Sequence, residues 1–200
     1  MPEVFLASRN VKKLGELERI LTDVVPGIRV LGLDDVTAYP EPIEDQATFA
    51  GNALVKARAG FAATGLVTLA DDSGLCVDAL NGMPGVLSAR WSGKPKSDAR
   101  NNELLLDQLD DVPDERRQAH FTAAVAVCHA GGEFVVTGEM PGRVIRELRG
   151  TDGFGYDVVF VPDDTDGDRT SAELSKAEKD AISHRGKALR EVAVRLRSLV

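Results

Sequence analysis

The sequence predicts an α/β fold: a single domain over residues 1–200, built as two lobes around a central cleft, with a long mixed β-sheet flanked by helices. Three observations lead there. In the first half, short apolar runs alternate with segments of helical periodicity. In the second half, two longer apolar runs flank Gly131-Gly132, which is a hairpin signal. No internal repeat, low-complexity tract or linker interrupts the chain. Its 200 residues are enough for a real core, and 43% hydrophobic with 28% charged residues is ordinary for a globular protein.

The elements follow in order. Val4 to Ala7 reads as a first buried strand. The stretch from Met1 carries Glu3 where a secretory leader wants basic residues, and its apolar run is short. Ser8-Arg9-Asn10 is a polar turn, and Leu14, Leu17, Ile20 and Leu21 then recur at helical spacing between Val11 and Asp23. Pro26-Gly27 breaks that helix, and Ile28 to Leu31 reads as a second strand. Residues 33–47 form an acidic loop with Pro40 and Pro42. A helix from Thr48 to Ala63 ends at Gly65. The strand at 66–70 delivers Asp71-Asp72, and Gly74 is read as a sharp turn after it. Residues 76–96 are irregular with short strands, and 97–109 are helical. Strands at 119–130 and 133–138 make the hairpin, and 143–148 adds a third strand. A Gly-rich loop at 152–157 runs into a strand at 158–161, and 163–170 is an acidic surface loop. The tail from about Ser175 to Val200 is mostly helix.

Charge narrows the function classes. The formal net charge is −8, so an extended grip on nucleic acid is not expected, while a small anionic substrate is allowed where positive charges gather. Nothing approaches the ~18 consecutive apolar residues of a membrane span. Cys76 and Cys128 are the only cysteines and form no CxxC, which fits reduced thiols in a cytosolic protein. His129 follows Cys128 without partners at zinc spacing, so the pair reads as a strand in the core.

Five places carry possible chemistry, each with a plainer alternative. Asp71 and Asp72 should point to opposite sides of a strand, one bracing the backbone and one facing the cleft, where a carboxylate can hold a hard cation or activate water. The plainer reading is an Asp-rich turn. Ser8 to Lys13 lies at a helix start, where free N–H groups, Ser8, Asn10 and a lysine suit a phosphate; a merely capped helix with exposed lysines is the alternative. Between Gly153 and Asp157, Phe154 can lie on a flat base and Asp157 can accept hydrogen bonds from a base edge or sugar; a tight turn with Phe154 and Tyr156 as core anchors is equally compatible. Lys179 and His184-Arg185 would diverge on one continuous helix, so either they serve different parts of a ligand or the helix restarts at Ser183. They can also be a solvated basic face. Glu44 can be the second carboxylate of a magnesium site, or one surface acid among many.

Taken together and in order, these segments resemble the inosine triphosphate pyrophosphatase family, also described as dITP/XTP pyrophosphatases or non-standard purine NTP pyrophosphatases. The resemblance runs from Val4 to about Leu196. Its motifs are Ala7-Ser8-Arg9-Asn10 with Lys13 and Glu16; Thr48-Phe49 with Asn52-Ala53; Ala70-Asp71-Asp72-Ser73-Gly74-Leu75; Pro84-Gly85 with Ser88-Ala89-Arg90; Gly153-Phe154-Gly155-Tyr156-Asp157; and Ser183-His184-Arg185-Gly186.

The resemblance implies Mg2+-dependent hydrolysis of ITP, dITP and XTP to the monophosphate and pyrophosphate, by a cytoplasmic homodimer with an ITPase-like fold. By position, Ser8, Arg9, Asn10, Val11, Lys12 and Lys13 would bind the triphosphate. Glu44 and Asp72 would serve the metal, with Asp72 also the proton acceptor for the attacking water. Ser73 would touch the substrate. Phe154, Gly155, Tyr156, Asp157, Lys179, His184 and Arg185 would hold base and sugar, with His184 and Arg185 near the 6-oxo edge. Two departures stand out: Gly51 where the family usually has an acid, and Val158 where proline is common. The alternatives are a related pyrophosphatase acting on other modified or pyrimidine nucleotides, and a nucleotide-binding regulator without turnover.

Overall fold

A computed structural model describes residues 3–197 and 199. Met1 and Pro2, before the first expected strand, and Ser198 and Val200, at the end of the expected tail helix, lie outside the described residues. In chain order the elements are β1 (Glu3–Leu6), α1 (Val11–Val24), β2 (Arg29–Leu31), α2 (Phe49–Thr64), β3 (Thr68–Val77), β4 (Met83–Pro84), α3 (Asp98–Gln108), β5 (Gln118–His129), β6 (Gly132–Val144), β7 (Phe160–Pro162), α4 (Lys176–Ile182) and α5 (His184–Leu196), with short 3-10 turns between them. The hydrogen-bonded strand order among the described residues is β2-β1-β3-β5-β6-β7, with β4 paired to β3 off this path. Parallel and antiparallel pairs both occur, so the sheet is mixed as expected. No helix among the described residues is long and apolar enough to cross a membrane.

The chain divides into two compact units. The first comprises residues 1–72, 123–138 and 184–200; the second comprises 73–122 and 139–183. In the first unit β1 pairs in parallel with β2 and with β3, Val4 opposite Val30 and Phe5 opposite Thr68. Strand alternation divides the core residues between two faces, one aliphatic and one mostly alanine around Phe5. Val4, Leu6, Leu69, Val125 and Val127 pack with Leu17, Ile20 and Leu21 of α1 and Leu189 and Val192 of α5. The residues between them, Phe5, Ala7, Ala70, Ala124 and Ala126, pack with Ala53 and Ala57 of α2. Fully burying one leucine stabilises by ~1.5–3 kcal/mol, so the first layer contributes the larger apolar share. Small residues let α2 lie close on the other face. The second unit has its own core of Leu75, Val77, Leu105, Leu109, Phe121, Met140, Tyr156 and Phe160. There β6 pairs antiparallel with β7, Val144 opposite Phe160.

Several boundaries differ from the sequence expectation. β3 does not end before the aspartates but runs through both of them to Val77. Gly74 makes no turn: a Cβ there would meet the Gly85 carbonyl oxygen and Ser88 Oγ at 2.4 Å each, so the glycine serves close approach. The strand expected at 143–148 is absent as such, because Arg143 and Val144 finish β6. Asp157 to Val159, expected partly as strand, is a 3-10 turn before β7. The tail is two helices separated by Ser183 at φ −63°, ψ 149°, so the helix does restart there.

Candidate active site

Two-residue alternation along β3 carries the site. Leu69 faces α1 and α5, and Ala70 faces α2. Asp71 therefore points towards α1 and α5, and Asp72 towards α2. Asp71 is 1% exposed. Its Oδ2 accepts from Lys13 Nζ at 3.0 Å and from Arg185 Nε at 3.1 Å. Arg185 Nη1 also donates to Glu16 Oε2, so one buried guanidinium ties two carboxylates together. Burial alone would raise the Asp71 pKa, but Lys13, Arg185 and Lys56 outweigh it and hold the carboxyl well below the usual range. Burial would likewise lower Arg185, and Asp71 and Glu16 reverse that. Burial does win at Lys13, whose pKa is lowered despite Asp71.

Asp72 has a different setting. Asn52 Nδ2 donates to its Oδ2 at 3.0 Å, and Lys56 Nζ lies 4.0 Å from its Oδ1. Burial pushes its pKa up, with Lys56, Lys13 and the Asn52 hydrogen bond opposing. The two adjacent aspartates thus differ: Asp71 is held charged by its cationic partners, and burial makes Asp72 the weaker acid of the two. Asn52 and Lys56 are one turn apart on α2, so both reach β3 from the same face. Thr48 caps that helix, its Oγ1 accepting from Gly51 N.

Glu44 is brought to the same place. Lys56 Nζ donates to Glu44 Oε2 at 3.0 Å and to the Asp71 carbonyl at 2.6 Å. The loop carrying Glu44 is tied to α2 by Gln46 N, which donates to Asn52 Oδ1 at 2.9 Å. Two carboxylates and a carbonyl therefore gather around one ammonium. This hard-oxygen donor set fits Mg2+, with Glu44 and Asp72 as the side chains that would hold it. Among the described residues no three His, Cys, Asp or Glu side chains form a closed metal cage.

The first-helix segment is more occupied than the sequence implied. Asn10 caps α1, its Oδ1 accepting from Lys12 N and Lys13 N at 3.1 and 3.2 Å. Asn10 N in turn donates to Ser8 Oγ. Arg9 pairs with Glu41 at the surface, and Val11 is 78% exposed. Lys12 is exposed, whereas Lys13 is turned inward to Asp71.

In the second unit, Asp157 organises the Gly-rich loop. Its Oδ2 accepts from Phe154 N at 2.8 Å and from Lys179 Nζ at 2.6 Å. Lys179 Nζ also lies 5.1 Å from the centre of the Phe154 ring. Gly153 and Gly155 have φ of 77° and 63°, which a side chain would resist. α3 supports this loop: Asp98 Oδ2 accepts from Gly155 N at 2.9 Å, and Asn102 Nδ2 donates to the Gly155 carbonyl at 2.8 Å.

Two expected ligand contacts meet a different placement. Tyr156 is 3% exposed and its hydroxyl donates to the Ser88 carbonyl, so its side chain is a core anchor. Arg185 is 1% exposed, with its guanidinium donating to Asp71 and Glu16, so in this structure it braces two buried carboxylates. His184, 5% exposed, opens α5. Ser73 follows Asp72 in β3 and is half-buried. The sequence assigns no site role to Asn52, Lys56, Glu16, Asp98 or Asn102, although Glu16 and Asn52 stand in the motifs that carry the resemblance. The i, i+4 spacing of Asn52 and Lys56 on α2 is a further signal for a shared target.

Comparison with known proteins gives a consistent picture. The family model described as "Ham1 family" matches residues 4–194. A dITP/XTP pyrophosphatase of Mycolicibacterium paratuberculosis is 60% identical over 200 residues, covering 100% of this chain and 98% of that one. Its counterpart in Nocardia farcinica is 60% identical over 201 residues, with 100% and 97% covered. Among solved structures, a nucleoside-triphosphatase / dITP/XTP pyrophosphatase of Mycobacterium abscessus is 53% identical with TM-score 0.77, covering 95% of this chain and 98% of that one. A HAM1 protein of Coxiella burnetii is 39% identical with TM-score 0.88, covering 99% and 100%.

Proposed function

The chain belongs to the Ham1 family, and from that premise we propose that it is a nucleoside-triphosphate pyrophosphatase that cleaves ITP, dITP and XTP to the monophosphate and pyrophosphate with Mg2+. We place it in the cytoplasm as a homodimer, as the resemblance implies. The observation that carries the chemistry is the opposed setting of two adjacent carboxylates: Asp71 is buried on Lys13 and Arg185, while Asp72 is oriented by Asn52 beside Lys56, which also holds Glu44. A general base needs such a fixed orientation, and burial of Asp72 adds to its affinity for a proton.

In this reading Asp72 accepts the proton of the attacking water, and Asn52 fixes its carboxylate through Oδ2. Magnesium on Glu44 and Asp72, when bound, neutralises phosphate charge and polarises phosphorus. Lys13 supplies positive charge to the triphosphate. Because Arg185 already holds Asp71, Lys13 can exchange Asp71 for phosphate without leaving that carboxylate unpaired. Phe154 stacks on the purine, and Asp157 and Lys179 hold its base or sugar. Donors around a 6-oxo group would meet the adenine amino group donor against donor, at ~1–3 kcal/mol for each buried unpaired group.

The test is product analysis with ITP, XTP, dITP, ATP and GTP, with and without Mg2+. Pyrophosphate from the first three is expected. Orthophosphate as product, or a preference for ATP, would overturn the reading. Replacing Glu44 by Gln should raise the Mg2+ concentration for half-maximal activity, and an unchanged titration would remove Glu44 from the site.

A further inference from the structure

Lys56 stands at the centre of the oxygens that fit a metal. Its ammonium reaches Glu44 Oε2 at 3.0 Å, the Asp71 carbonyl at 2.6 Å and Asp72 Oδ1 at 4.0 Å. Its side chain is only 15% exposed, and those of Glu44 and Asp72 are 34% and 13% exposed. The three oxygens come from a loop and from two consecutive residues of β3, yet they converge on one cation. We propose that Lys56 is a built-in rival of the metal: its ammonium hydrogen-bonds Glu44 Oε2 and lies 4.0 Å from Asp72 Oδ1, so a divalent cation that takes both carboxylates must displace it.

The physical argument has two parts. A divalent ion sits ~2.0–2.1 Å from its oxygen ligands if it is Mg2+, which would put it within a few ångströms of Nζ in its present position. Two cations cannot share that space, because like charges so close repel strongly in a partly desolvated setting. Lysine is suited to yield, since its charge sits on a flexible four-carbon stem. A carboxylate pair already neutralised from within also needs no metal to remain folded. The metal alone would then bind weakly, and more tightly when phosphate oxygens join its shell.

This inference rests on the reading of Glu44 and Asp72 as metal ligands, and the experiment separates the two. Mn2+ is titrated into the full chain without nucleotide, and binding is followed by paramagnetic resonance or calorimetry. Lys56→Met should bind Mn2+ about ten-fold more tightly than the natural protein, because a competing charge is gone. Lys56→Arg, which keeps the charge, should stay near the natural affinity. In EDTA, Lys56→Met should melt at a lower temperature, and Mn2+ should recover the loss. Equal or weaker Mn2+ binding by Lys56→Met overturns the proposal. Equal binding by Glu44→Gln and the natural protein instead overturns the assignment of the ligands beneath it. Should Lys56→Met not fold, the natural protein gives the same information: chemical methylation of Lys56, read by mass spectrometry, should rise on adding Mg2+. An unchanged extent of Lys56 labelling then sinks the idea.

Discussion

At the scale of single residues, Asp71 and Asp72 have the same side chain, and their partners give them different work. Replacing Asp72 by Asn should keep the fold and lower pyrophosphate release by ~10²–10⁴, since an amide takes no proton. Near-normal release would remove Asp72 from the base role. In the metal-free protein the raised Asp72 pKa sets a sign: Asp72 should take up its proton above the ordinary carboxylate value of ~3.9, and Mg2+ held by the same carboxylate should lower that point, which an NMR titration with and without Mg2+ would check. Asp71 works oppositely for stability. Its folded pKa is depressed, so its contribution is complete above the ordinary value and disappears as pH falls towards the lower folded one. Replacing Arg185 by Ala should cost about 3–5 kcal/mol, because it strips one partner from two buried carboxylates. It should also depress ITP and ATP turnover by similar factors. A selective collapse of the ITP-to-ATP preference would instead return Arg185 to the base edge. The opposed directions of Asp71 and Asp72 were legible from strand period alone. The identity of their partners was not, because Lys13, Asn52, Lys56 and Arg185 reach β3 from three different helices, and no local spacing encodes such long-range meetings.

At the scale of elements, helices read well because caps and breakers are local. Asn10, Thr48, Ser97 and Ser175 each cap the helix that follows. β3 misled for an equally physical reason: aspartate, serine and glycine resemble a turn, and only their partners in space keep them extended. α3 shows what an element can do at a distance. Removing its loop contacts with Asp98→Ala or Asn102→Ala should raise KM for ITP more than it lowers kcat, because the Gly155 backbone loses its anchors. An equal loss in kcat alone would assign α3 a different task. At the start of α2, Gly51 touches the loop of Glu44, since a Cβ there would lie 2.7 Å from Gln46 Cβ. Gly51→Ala should therefore fail to deliver the stabilisation, at most ~1 kcal/mol in a helix interior, that a glycine-to-alanine change brings. The gain should return in the double variant Gly51→Ala, Gln46→Gly, which a double-mutant cycle on thermal stability would detect.

At the scale of the whole molecule, β3, β5 and β6 each contribute residues to both compact units. Cutting the chain into separate units would sever three strands, so a single cooperative thermal transition is expected, with calorimetric and van't Hoff enthalpies equal. Two resolved transitions would show that the units melt independently. The alternating α/β half and the hairpin half were both visible in apolar periodicity, whereas the exchange of strands between units was not, because nothing local marks where a strand changes its surroundings. The segment order has a consequence for synthesis. The first unit closes only with α5, and Arg185 follows Asp71 by 114 residues. At ~5–20 residues per second, the ribosome leaves that carboxylate without its guanidinium for roughly 6–23 s. All residues of the second unit have been made by Ser183, one position before α5 begins. A nascent chain thus has every residue of its second unit before Asp71 can meet its guanidinium.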